Sequence, residues 1–440
     1  MWLKCHVKAL VGLLTKLREA CPKLPDRRTG KNARYSMADL VMGAFSVFFM
    51  QSPSFLAHQR RLEEGHGNSN CKTLLGMSEI PGDDQIRRTL DGATPNLFDD
   101  VFLHTVNDVR ATDDLATFRR LGGHVLIALD GTEYFTSRKV HCSQCSHRKR
   151  SDGGTEYFHA FVGATIVAPG HARILPLPPE FVTPQDGHEK QDCEQMAGQR
   201  WLGKHGPVYA DLQPIYLGDD LYTKQPMCEK IRAVGGHFIF TCKPGSHKTL
   251  TEYLHGATFH EHQETHGYGK AQRTFTYRWI ENVPIRDGKD AMDINYLELR
   301  ITNASGKQTY YNTFATDLKI TPTNVAEIGA CGRARWKVEN EKFNTLKNNG
   351  YHLEHSFGHG KKTLSSMLVT LNILAFAFHT ACEFIESSWK AAMERAKTRR
   401  DFFEYIRSTT SMFVMGSWEM LMRCISPPRG TSPFAPLNTA

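Results

Sequence analysis

The stretch QPIYLGDDLY, residues 213–222, decides how the chain is read. Ile215, Tyr216 and Leu217 form an apolar run that passes through Gly218 into two adjacent acids, Asp219 and Asp220. A short apolar run closed by Gly has the signature of a buried strand. Two carboxylates at such a strand end repel each other unless a proton or a cation lies between them. A second run of this kind lies upstream, where HVLIAL (124–129) ends in Asp130-Gly131. Asp130 and Asp219 are 89 positions apart (219 − 130), but strand ends at one edge of a sheet bring distant side chains together.

Outward from these two runs the pattern is regular. FHAFVGATIVAP (158–169) and RILPLPPEFV (173–182) read as strands, 192–205 as a helix, 213–217 as a strand, 224–235 as a helix and 237–243 as a strand. The expected class is α/β: a mixed sheet in the order three strands, helix, strand, helix, strand. Residues 1–120 read as a helical N-terminal domain without a clear helix-turn-helix. Residues 121–250 are the first part of the core. Residues 251–323, rich in Thr, Tyr, Ile and Phe, read as a β-rich insertion. Residues 324–390 return to the core, and 391–440 read as a C-terminal helix and a loose tail. Asp84 is a candidate cap for the helix in IPGDDQIRRTLDG (80–92), and Gly350 a helix stop.

With 40% hydrophobic and 23% charged residues, the chain has the material for a large core. Its net charge of +8 permits a polyanionic partner. The 11 cysteines are odd in number and scattered, the usage of a reduced, intracellular chain. The N-terminal twenty residues read as an amphipathic helix rather than a signal peptide. MLVTLNILAFAFHTA (367–381) reads as a buried core helix, too short to span a bilayer, so no membrane role is expected.

Oxygen-only ligands suit Mg²⁺ or Mn²⁺, and two such ions drive phosphodiester chemistry when a third carboxylate completes the set. The segment RARWKVENEKFNTLKNN (333–349) offers Glu339 and Glu341. Arg335 and Glu339 stand at i and i+4 and share a helix face, with Lys342 expected on the same side.

The order LDG, LGDDLY, β-rich insertion, RARWKVENEKFNTLK resembles the DDE transposases of bacterial insertion sequences, over about 121–385. More narrowly it resembles the branch whose third acid lies in a Tyr-Arg-Glu-Lys signature helix. The resemblance implies an RNase H-like catalytic domain split by the insertion. It implies two Mg²⁺ ions, with Mn²⁺ as substitute, and DNA hydrolysis followed by strand transfer. Asp130, Asp219 and Glu339 would then be the catalytic, metal-binding acids. Asp219 rather than Asp220 is selected by Tyr222, which completes Asp-x-x-Tyr, leaving Asp220 to tune local charge or cap the turn. Arg335 and Trp336 would meet phosphate and a flipped base; packing of Trp336 against Phe343 is the alternative. The signature is incomplete: Gly332 stands at its Tyr and Leu346 at its Lys, leaving Lys342 and Lys347 as accessory lysines. The implied partners are double-stranded DNA, as terminal inverted repeats and target, with residues 1–120 expected to bind the element's ends, and a second copy of the chain. The implied location is the bacterial cytoplasm, at the nucleoid. The alternatives are a nuclease or resolvase of the same fold, and a non-catalytic, zinc-stabilised DNA-binding derivative.

Cys142 and Cys145 have zinc-ligand spacing in VHCSQCSHRKRSDGGTEYFH (140–159), with His141, His147 and His159 nearby. His188 or Cys193, from DGHEKQDCE (186–194), are the expected remaining ligands. Arg148, Lys149 and Arg150 make this a basic loop. GHGKK (358–362) and KTRR (397–400) are basic stretches that read as solvated faces.

Overall fold

The computed structural model describes residues 9–26, 28–184 and 192–426. Six helices come first: α1 (Ala9–Ala20), α2 (Met37–Phe49), α3 (Phe55–Glu63), α4 (Gly67–Leu75), α5 (Asp83–Leu90) and α6 (Asp99–Ala111). The strands β1 (Arg119–Arg120), β2 (His124–Ser137), β3 (Ser146–Lys149), β4 (Thr155–Val167) and β5 (Leu175–Val182) follow. Next come α7 (Glu194–His205), β6 (Pro214–Gly218), α8 (Gln225–Ala233), β7 (His237–Thr241) and α9 (Lys248–Leu254). The insertion supplies β8 (His260–His266), β9 (Arg273–Pro284), β10 (Asp293–Asn303) and β11 (Gln308–Thr316). Last come α10 (Val325–Arg333), a π-helical turn (Val338–Phe343), α11 (Asn344–Asn348), α12 (Leu364–Ile385), α13 (Ser387–Ala396), α14 (Arg399–Met412) and α15 (Trp418–Ile425).

Among the described residues these strands form one mixed sheet of eleven. Its central order is β5-β4-β2-β6-β7. β4 runs antiparallel to both β2 and β5, whereas β2, β6 and β7 are parallel neighbours. Parallel pairing needs a long crossover, and α7 and α8 supply it. Val125–Leu129 and Ile215–Leu217 are fully covered, which explains apolar runs without alternation. The insertion extends this sheet rather than standing beside it, because β11 pairs antiparallel with β7.

Several boundaries differ from expectation. β2 does not stop at Asp130-Gly131 but continues to Ser137, because Gly131–Ser137 keep pairing with β4 across a bulge near Phe135. Ladder hydrogen bonds override the local turn signal there. Asp83 and Asp84 fill the first turn of α5, but Gly82, not Asp84, is the cap residue. Asn349 caps α11, and Gly350, at φ 91, lies one residue beyond. Beyond 391 the chain forms the end of α13 and two further helices, α14 and α15, opened by the Thr398 and Ser417 side-chain caps. The expected tail at 427–440 and the start of the N-terminal helix at 1–8 lie outside the described residues.

The sequence from 367 to 381 belongs to α12, which runs 22 residues and is long and apolar enough to cross a membrane. Within this fold it is a core helix, 94% buried over its most apolar window and packed on α2, α6 and β5. Two of its polar side chains bond inside the fold: Asn372 Nδ2 donates to Tyr351 O at 2.9 Å, and His379 Nε2 lies 3.0 Å from Phe49 O, while Asn372 Oδ1 is buried without a partner. Burial holds His379 neutral, with a pKa well below the ordinary histidine value. The first helices also pack on the last. Asn70 Nδ2 donates to Thr410 O at 2.7 Å, and Trp418 Nε1 to Leu74 O at 2.8 Å. One continuous apolar core therefore runs from Leu10 to Ile425.

Candidate active site and thiol–imidazole cluster

The parallel register of β2 and β6 ends at Ala128↔Leu217. Asp130 and Asp219 each lie two residues further on, so both side chains emerge on the same face. Asp130 is buried, and its pKa is pushed up to about 7. Burial is the largest cause; Arg335 opposes it, and Glu339, Glu194 and Asp219 add to it. Four carboxylates thus converge on one region.

Arg335 is their counter-ion. Its Nη1 lies 2.8 Å from Glu339 Oε1 and 3.4 Å from Asp130 Oδ2, so one nitrogen bridges two of the expected acids. The i,i+4 face shared by Arg335 and Glu339 is as expected. The π-helical turn that carries Glu339 packs on β2 and β4. Such turns carry one more residue per hydrogen-bonded ring than an α-helix and shift the side chains that follow.

Lys342 is where that shift matters. The sequence places it beside Glu339, but Glu339 is 52% exposed whereas Lys342 is wholly buried. Lys342 Nζ donates to Ala164 O at 3.0 Å and crosses Gly163, the residue registered opposite Asp130. A Cβ at Gly163 would lie 2.9 Å from both Lys342 Nζ and Phe343 Cε1, so the passage requires glycine. Burial pushes the Lys342 pKa down to about 7, with Asp130 opposing. Lys342, expected as an accessory lysine on the face of Glu339, is therefore enclosed against Ala164 and Gly163 rather than presented on that face.

Lys347 forms an ion pair with Glu354 at 2.8 Å. Trp336 does not pack on Phe343. It is 43% exposed with Lys337 Nζ 5.0 Å from its ring centroid, while Phe343 packs edge-on to Phe161.

The adjacent acids of LGDDLY separate clearly. Asp220 Oδ1 accepts from Lys243 N at 2.6 Å and lies 3.1 Å from His247 Nε2, anchoring the loop after β7. It is Asp219 that caps the turn, accepting from Leu221 N at 2.9 Å, which reverses the expected division of that task. Asp219 also faces Asp130 and Glu194, whose pKa values it raises.

Glu194 is the acid that sequence reasoning missed. It opens α7, the next helix in the chain after β5, and its carboxyl rests on the backbone of Gly131, where a Cβ would collide with it. Its Oε1 is buried without a hydrogen-bond partner. Burial raises its pKa, the Tyr222 hydroxyl beside it opposes this, and Asp219 raises it further. A glutamate at the start of the first crossover helix was the available signal.

A second cluster lies in the same sheet. Cys142 and Cys145 precede β3, His159 is on β4, and His359 lies ahead of α12. The Sγ atoms are 3.9 Å apart. His159 Nε2 lies 3.6 Å from Cys142 Sγ and 3.4 Å from Cys145 Sγ. His359 Nε2 lies 3.5 Å from Cys145 Sγ and 3.2 Å from His159 Nε2. Burial, reinforced by His359, pushes His159 down to about 4, and burial raises Cys145 to about 11. The expected ligands are thus revised. Cys193 is exposed, at the start of α7, and His188 lies outside the described residues. His359 belongs to GHGKK, a stretch that reads as merely basic.

The basic hairpin beside this cluster is largely neutralised. Arg148 pairs with Glu133 at 2.6 Å and Glu156 at 2.7 Å, and Arg150 pairs with Glu156 at 2.7 Å. Comparison of the chain with protein-family models and with curated proteins gives no match.

Proposed function

We propose that this chain is a DNA transposase that cleaves phosphodiesters and transfers strands at the ends of a mobile element. The observation that carries the reading is the meeting of Asp130 and Asp219 at adjacent parallel strand ends, with Glu339 returned to them after a β insertion. We read the order β5-β4-β2-β6-β7, with its two helical crossovers, as an RNase H-like core.

The donor set fits hard divalent cations: oxygen ligands only, with Asp130 pushed up to about 7 by burial first and by its neighbouring acids second, and already bridged by a positive nitrogen. Asp130, Asp219 and Glu339 would hold Mg²⁺ or Mn²⁺, with Glu194 supporting Asp130 from below. The metal would supply Lewis-acid stabilisation of charge on the phosphate oxygens. Arg335 Nη1 supplies the positive charge between Asp130 and Glu339. Displaced, its planar fork is suited to a phosphate. Trp336, exposed beside it, offers an indole face to an unstacked base. Water attacks the phosphodiester and the 3′-oxygen leaves with a proton. That 3′-hydroxyl then attacks target DNA in the same manner. The net charge of +8 suits a polyanionic partner, and joining two DNA ends calls for two copies of the chain. In the same proposal the thiol–imidazole cluster is a structural zinc centre.

The test is a cleavage and strand-transfer assay with duplex substrates carrying the element's terminal repeats. Asp219→Ala abolishes Mg²⁺-dependent cleavage and retains DNA binding. Cleavage that survives this change overturns the assignment, and cleavage without strand-transfer products reduces the protein to a nuclease.

A further inference from the structure

The cluster at Cys142, Cys145, His159 and His359 has the dimensions of a filled tetrahedral site. A zinc ion with Zn–S of about 2.3 Å and Zn–N of about 2.0–2.1 Å fixes the edges of its ligand tetrahedron. They come to about 3.8 Å between sulfurs, about 3.5 Å between sulfur and nitrogen, and about 3.3 Å between nitrogens. Five of the six observed edges are 3.9 Å, then 3.6, 3.4 and 3.5 Å, then 3.2 Å, and the sixth, between Cys142 and His359, is within 4.8 Å. Hydrogen bonding alone does not demand this shape, since four groups with few protons to share have no reason to gather so closely around one point. The surrounding shell agrees. His359 Nδ1 lies 3.0 Å from Gly360 O, which fixes the tautomer that leaves Nε2 free to ligate. Cys142 N donates to Cys145 Sγ at 3.4 Å, a contact that favours a thiolate. A sulfur pair at 3.9 Å is not a disulfide.

What the ligands join gives the site a role. Three come from the hairpin of β3 and β4, in the half of the sheet that carries Asp130. The fourth is 214 residues beyond Cys145, in the loop ahead of α12. The far side of that loop is held by Asp91, which follows α5. Its carboxylate accepts from the backbone N–H of Lys361, Lys362, Thr363 and Leu364 at 2.8–3.1 Å. We propose that Cys142, Cys145, His159 and His359 hold one Zn²⁺, and that this ion clamps the loop before α12 onto the β3–β4 hairpin. The clamp fastens the helical part of the molecule to the edge of the catalytic sheet. It rests on the zinc part of the reading above and is independent of the DNA chemistry.

The experiment is metal analysis of the purified, reduced full chain, followed by titration of chelator-stripped protein with Zn²⁺. About one equivalent per chain is expected. Stripping lowers the melting temperature by several degrees, and Zn²⁺ restores it. Co²⁺ reconstitution gives tetrahedral d–d bands with thiolate charge transfer, and Cys145→Ser weakens the latter. His359→Ala loses the metal, whereas His359→Cys keeps a ligand and guards against simple misfolding. Cys193→Ser retains the full equivalent. Less than half an equivalent after titration, or full retention by both Cys145→Ser and His359→Ala, overturns the clamp. Metal content is read without any DNA substrate, so failure here leaves the carboxylate assignment standing, and failure of cleavage leaves the clamp standing.

Discussion

The sheet carries two polar clusters built on opposite principles. At the carboxylate site, like charges are brought together and left under-compensated: Asp130 is pushed up to about 7, Glu194 Oε1 has no partner, and Arg335 divides itself between two acids. At the thiol–imidazole cluster, four donors lie within 4.8 Å of one another. The first arrangement costs folding free energy, because burial and neighbouring charge oppose the ionisation of Asp130. The second gathers two thiols and two imidazoles, the donor set that suits the zinc staple proposed above. A strained charged centre is what metal-assisted chemistry uses, and a four-donor set is what a staple uses.

The largest expected effect that separates the two comes from Asp130→Asn. It should abolish cleavage while raising the stability of metal-free protein. The sign follows from linkage. An unfolded aspartate ionises near pH 4, whereas the folded one keeps its proton to about 7. Folded wild type therefore loses stability as pH rises through that window, by up to about 4 kcal/mol, and Asp130→Asn does not. Melting curves of chelated protein between pH 4 and 8 measure this. Equal pH slopes for both proteins would remove the premise that the site is strained.

An intermediate effect is expected for Glu194→Gln. The amide keeps its place on Gly131 but loses one charge from the cluster. Activity should fall roughly 10–100-fold with an increased Mg²⁺ requirement, the scale for a group that supports a ligand. Unchanged Mg²⁺ dependence would make Glu194 a packing residue. The smallest effect is expected for Trp336→Ala. Its ring is exposed, so the melting temperature should not move. If the indole stacks on a base, affinity for DNA ends with an unpaired nucleotide should fall by about 1–3 kcal/mol, measured against fully paired duplex. Equal loss on both would assign Trp336 to non-specific contact.

Much of the fold was legible because the core strands are apolar without alternation and the crossover helices are bounded by Gly and polar residues. The strand–helix order from His124 to Thr241 follows from those local signals, except for the short β3, which reads as a basic loop in the sequence. Asp130 and Asp219 stood out as acids closing apolar runs, whereas the choice of Asp219 over Asp220 and of Glu339 rested on the resemblance and on the i,i+4 spacing to Arg335. Lys342 and Glu194 were not. A regular helix puts Lys342 beside Glu339, and only the π-helical turn sends it inward over Gly163. Glu194 looked like one more first-turn glutamate until the crossover set it on Gly131.

The sequence by itself determined the periodicities, the apolar strand ends with their acids, and the Cys-x-x-Cys spacing, because these are local properties of a few consecutive residues. Tertiary structure alone decided which residues complete each cluster. His359 reaches Cys145 across 214 positions because α12 must bury its apolar faces against α2, α6 and β5, and that packing carries the preceding loop to the edge of the sheet. Asp219 and Asp220 are adjacent in the chain but serve different partners, because the turn that follows β6 sends Asp220 to Lys243 N and His247 and leaves Asp219 beside Asp130 and Glu194.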